Sequence, residues 1–138
     1  MDPIDLTQFA ERVDAAYTDG VPMVVATAGP RGPDVAFKGS LMVWDRDHLA
    51  WWERALGEQL EALRVDARVV ALYRKPGSPP LRFYGEARFV EGGELRDQVW
   101  DRTVEGEKKN DPERKGFAVL VRVDRVRQGR NVIQQRSL

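Results

Sequence analysis

Lys38, Gly39 and Ser40 stand side by side in a stretch otherwise patterned for a sheet, and together they offer a cation, a bare backbone and a hydroxyl. That combination suits a phosphate. Further on, Gln59 and Arg64 lie at the edges of a short helical pattern and can add an amide and a guanidinium. Trp44, Trp51, Trp52 and Tyr84 offer flat apolar surface for a ring, with the bland alternative that they simply fill a core. Lys38 and Arg64 likewise read as solvated charges when taken alone. No serine, threonine or lysine has a convincing partner for nucleophilic catalysis, so hydrolase and transferase readings fall and no catalytic residue is assigned. His48 sits in the acidic turn Asp45-Arg46-Asp47-His48, where solvent exposure is expected and nothing local is expected to orient it.

Bulk properties narrow the chemistry further. With no cysteine and a single histidine, disulfides, iron–sulfur clusters and thiolate zinc sites are excluded. A metal would need an all-carboxylate site, for which no paired spacing is present, so none is expected. Lys plus Arg equals Asp plus Glu, 22 against 22, and no global field recruits nucleic acid or an anionic membrane. Nothing reads as a secretory signal, and no apolar run approaches the ~20 residues of a membrane helix. A soluble cytoplasmic protein is the expectation, organised as one domain over residues 1–138.

The elements that must position these side chains follow from periodicity. Leu6, Phe9, Val13 and Tyr17 form one helical stripe within Ile4 to Thr18, capped by Asp5 or Thr7 and Gly20, and read as a lid on a sheet. Met23 to Thr27 reads as a strand. Val35, Phe37, Leu41 and Val43 keep period-two spacing, interrupted by Lys38-Gly39-Ser40, so the sheet turns or bulges there. Leu49 to Trp52 is a strand in which the two adjacent tryptophans face opposite sides. Gly57 opens a helix with Leu56, Leu60 and Leu63 on one face, and Arg68 to Tyr73 reads as a strand buried on both faces. Leu81 to Val90 is a long strand, with Phe83, Gly85, Ala87 and Phe89 opposite Arg82, Tyr84, Glu86 and Arg88. A second amphipathic helix runs from Leu95 to about Val104. Glu105 to Lys115 is a charged loop too polar to bury, Phe117 to Val126 alternates as a strand, and the basic tail from Arg127 frays or reaches a partner subunit. Six or seven strands joined mostly by short turns make the expected fold class mainly β (α+β), a closed antiparallel barrel with peripheral helices, which the resemblance given next makes a six- to seven-stranded antiparallel split barrel.

The order and spacing of Ala26-Thr27, Pro33, Lys38-Gly39-Ser40, Leu49-Ala50-Trp51-Trp52, Leu60 to Arg64 and Asp66-Ala67-Arg68-Val69 resembles the pyridoxamine 5'-phosphate oxidase-like family of flavin-binding split barrels. The likeness continues into Arg82 to Ala87 and covers roughly Val21 to Val90. It implies a homodimer with flavin mononucleotide (FMN) at the subunit interface and oxidoreductase activity on a small-molecule substrate. Carried onto this chain, it makes Phe37, Lys38, Gly39, Ser40, Trp52, Gln59 and Arg64 the cofactor-binding set, with Lys38 and Gln59 converging on the phosphate. Glu58 and Gln59 stand where the family often has a basic and a hydroxyl residue, and a carboxylate there repels phosphate. The family's oxidase also carries an arginine–histidine pair near its C-terminus, whereas no histidine follows His48 here. A smaller relative is therefore implied, binding FMN, a deazaflavin or haem, or keeping the barrel without a cofactor.

Overall fold

The computed structural model describes residues 1–54 and 58–137, except for the side chain of Glu58. Expectations attached to Leu56, Gly57 and the Glu58 carboxylate lie outside the described residues. A 3-10 turn over Leu6–Phe9 leads into α1 (Ala10–Ala15), followed by strands β1 (Met23–Thr27), β2 (Asp34–Lys38), β3 (Met42–Val43) and β4 (His48–Glu53). Then come α2 (Glu58–Val65), β5 (Arg68–Tyr73), β6 (Leu81–Val90), α3 (Glu94–Arg102), α4 (Glu105–Lys108), β7 (Phe117–Gln128) and β8 (Asn131–Gln135).

All strand pairs are antiparallel, in the order β2-β1-β5-β6-β7-β4-β3 with β8 added against β7. This is the expected split barrel with helices at its edge, enlarged by one strand. The addition comes from the tail: Asn131–Gln135 pairs with β7, and Gln134 is buried. Its side-chain oxygen accepts from Asp5 N at 2.9 Å, while its amide donates to Asp5 O and Gln8 Oε1. The chain ends are thereby clasped, since Asp2 N donates to Ile133 O and Gln135 N to Asp2 O.

The concave side of the sheet closes over Leu49, Trp51, Phe83, Val119, Val121 and Val123, and Leu6, Phe9 and Val13 supply the lid. Ala16 takes the buried position expected for Tyr17, which instead points to the surface. The convex side is dry only where α3 lies on it: Val99 and Trp100 pack with Met42, Ala50, Trp52, Ala118 and Leu120. Trp51 and Trp52 therefore belong to different clusters, as alternation requires.

Two further expectations need correction. The strands buried on both faces are β4 and the first half of β7 rather than β5, because α3 covers their backs. In β5 only Val69, Ala71 and Tyr73 are buried, and Val70 and Leu72 half-face solvent. The charged segment from Glu105 to Lys115 also forms α4 and buries Asp111, whose carboxylate has three local donors.

Candidate functional site

A cleft of about 460 Å³ opens beside the Lys38-Gly39-Ser40 turn, within the range of about 300–1,000 Å³ usual for small-molecule sites. Phe37 to Ser40 form one wall, Trp52, Glu53 and Arg54 at the end of β4 another, and Tyr17, Pro22 and Glu107 the rim. The turn is set by Leu41 N donating to Lys38 O at 3.1 Å. Gly39 is required there by close approach: a Cβ would lie 2.9 Å from Tyr17 Cδ2 and closer still to the Glu107 carboxylate.

Five of the seven expected residues, Phe37, Lys38, Gly39, Ser40 and Trp52, share this cleft. Gln59 and Arg64 do not. Gln59 is buried under α2, where its amide donates to Val25 O at 3.1 Å. Arg64 is exposed, pairs with Glu91 at 2.9 Å and stacks on Phe89. The reason is geometric: α2 turns Gln59 down onto β1 and Arg64 out to solvent, so the expected convergence of Lys38 and Gln59 does not occur.

Those that do converge are partly committed elsewhere. Ser40 Oγ accepts from Trp52 N at 3.0 Å and donates to Trp52 O at 3.2 Å, clamping the turn to β4. Lys38 Nζ lies 2.9 Å from Glu53 Oε1, with side chains only 12% and 5% exposed. Trp52 Nε1 donates to Asp111 Oδ2 at 2.8 Å, and its ring meets Trp100 edge-on at 4.9 Å. Arg54 and Glu107 lie 4.0 Å apart across the cleft.

Glu53, Arg54, Tyr17 and Glu107 were not expected at the site. Glu53 had a sequence signal: it shares its face of the strand with Trp51, and a charge directed inward at the end of an apolar strand calls for a buried partner. Tyr17 and Glu107 had none, because their approach depends on how α1 and α4 pack. Behind Gly39 and Ser40 a smaller cavity of about 170 Å³ holds Asp14 and Arg102. Burial pushes the Asp14 carboxyl above its ordinary pKa, against the opposing pull of Val43 N and Arg102.

His48 is held locally after all, its Nδ1 3.0 Å from Asp45 Oδ1 and 2.9 Å from Asp47 Oδ1. Arg136 reaches Asp47 and Asp124 and offsets this negative charge, so the geometry gives the cluster a structural account as a charge-balanced turn.

The strand order and the curled antiparallel sheet define a split barrel. No protein-family model and no curated protein matches the chain in sequence. Solved structures match in fold. An FMN-binding protein from Syntrophomonas wolfei superposes with a TM-score of 0.68 at 15% identity, over 88% of this chain and 86% of that one. A protein from Clostridium acetobutylicum related to general stress protein 26, of the pyridoxinephosphate oxidase family, gives 0.66 at 13%, covering 91% and 92%. HupZ from Group A Streptococcus gives 0.67 at 16%, covering 96% and 98%. At these identities the likeness is one of fold. Among the described residues no helix is long and apolar enough to cross a membrane.

Proposed function

We propose that this chain is a cytoplasmic, homodimeric split-barrel flavoprotein that binds FMN in the Lys38 cleft and acts as an oxidoreductase on a small molecule. The observation that carries the reading is the convergence of Phe37, Lys38, Gly39, Ser40 and Trp52 on one cavity of ligand size. Fit to the cofactor is divided. The aromatic wall and the outer edge of β2, last in the sheet order, suit the uncharged ring and its polar rim. The phosphate finds Lys38 already paired with Glu53, and neither Gln59 nor Arg64 beside it. When bound, a flavin supplies the electron-accepting atoms itself. The chain's share is to bind, orient and shield it. Incubating purified protein with FMN and removing free ligand is expected to leave a visible flavin spectrum at about one flavin per chain; a colourless protein overturns the reading.

The dimer is supported by β2. Val35 and Phe37 are 62% and 72% exposed on an edge strand beside the cleft, where a second copy would bury them and close the ligand in. Phe37→Asp is therefore expected to convert a dimeric wild type into monomer by sedimentation, with loss of bound flavin. A wild type that sediments as a monomer would refute this arrangement. A second reading, a barrel that keeps the fold without a cofactor, is favoured by the internal Lys38–Glu53 pair, and the same FMN incubation separates the two.

A further inference from the structure

We propose that Glu53 is the specificity-determining residue of the cleft: an internal anion that occupies Lys38, so that the site takes the ring and ribityl part of a flavin and gains little from its phosphate. This rests on the flavin reading above and deepens it.

Glu53 Oε1 receives both Lys38 Nζ at 2.9 Å and Trp51 Nε1 at 3.1 Å. Trp51 is wholly buried in the main core and cannot follow a moving carboxylate. If Glu53 swung away to admit a phosphate, the buried indole N–H would be left bare, which is unfavourable. The pair itself is nearly dry, which strengthens its attraction and makes separation unfavourable. The other two charges on the cleft, Arg54 and Glu107, face each other and largely cancel. A phosphate dianion entering here thus meets two cations, Lys38 and Arg54, each already facing a carboxylate. An uncharged ring meets none of that opposition.

Titration of riboflavin and FMN by flavin fluorescence, on wild type and Glu53→Gln, tests the assignment. Glutamine keeps an acceptor for Trp51 and removes the charge. Wild type is expected to bind the two flavins with affinities within about tenfold of each other, and E53Q to shift the ratio toward FMN by about tenfold or more. A wild type favouring FMN by more than about tenfold, or an E53Q ratio unchanged from wild type, overturns it. If E53Q fails to fold, the wild-type ratio alone decides. If neither flavin binds either protein, the flavin reading fails by itself, and inorganic phosphate becomes the probe. Thermal stabilisation of E53Q but not of wild type by phosphate then supports Glu53 as the internal anion, and equal responses refute it.

Discussion

Asp111→Ala is expected to destabilise the protein by about 3–5 kcal/mol, because one carboxylate serves three donors and the substitution strands at least two of them in a dry place. Asp111 accepts from Trp52 Nε1 and Gly116 N at 2.8 Å each, and from Lys115 N at 3.0 Å. Trp52 and Gly116 are both buried. Arg96 completes the arrangement, stacked over Trp52 at 4.9 Å. The result should be visible as a lowered urea midpoint and a red-shifted tryptophan emission, with weakened ligand binding, since Trp52 borders the cleft. The variant also changes the acid response. Burial pushes the Asp111 carboxyl up, but the bonds from Trp52, Gly116 and Lys115, with Arg96 nearby, outweigh it and hold the pKa below the ordinary 3.8. A depressed folded pKa stabilises above the unfolded value and is lost as pH falls through the folded one. Wild type should therefore lose stability as pH drops below that ordinary value, and Asp111→Ala should show a flatter acid limb. A loss under about 1 kcal/mol would show that the network is not needed.

Gly85→Ala is expected to be at least as severe, about 4 kcal/mol or more, or to prevent folding. An added Cβ would approach within 2.9 Å of both the Arg122 carbonyl carbon and Val121 Cγ1, and would overlap the Arg122 carbonyl oxygen. That oxygen belongs to β7 in the longest ladder of the sheet, next to the register shift between Tyr84 and Gly85. Relief would require β6 and β7 to part where they are fixed from both sides, by β5 and β4. Gly92→Ala provides the control, because a Cβ there meets nothing within 4 Å. Urea unfolding of the pair should separate them clearly; similar midpoints would mean that the bulge yields easily.

Much of the fold was legible because alternation is a local property. Leu49 to Trp52 had to be a strand with its tryptophans on opposite faces, and Leu81 to Val90 alternated as a long one. The interruption at Lys38-Gly39-Ser40 was likewise visible and proved to be the turn that shapes the cleft. Burial on the convex side was not legible, since it depends on where α3 lands, and so double burial was sought in β5 rather than in β4 and the first half of β7. The same limit applies to the site. Periodicity told which residues share a face, but not that Ser40 would spend its hydroxyl on Trp52, nor that α2 would press Gln59 onto Val25. Asn131 to Gln135 read as part of a fraying tail because it is short, mostly polar and set between Arg130 and Arg136, and its strand character comes from pairing with β7.

The Gln134 clasp sets the order in which the molecule can be completed during synthesis. Its partner Asp5 lies 129 positions upstream, so this latch on the helical lid that carries Tyr17 to the rim closes only after residue 134 has left the ribosome. Contacts of such long sequence separation form late, after the shorter hairpins have already reduced the entropy of bringing the ends together. A ligand arriving before then would find β2 and its turn with a rim not yet latched through Gln134.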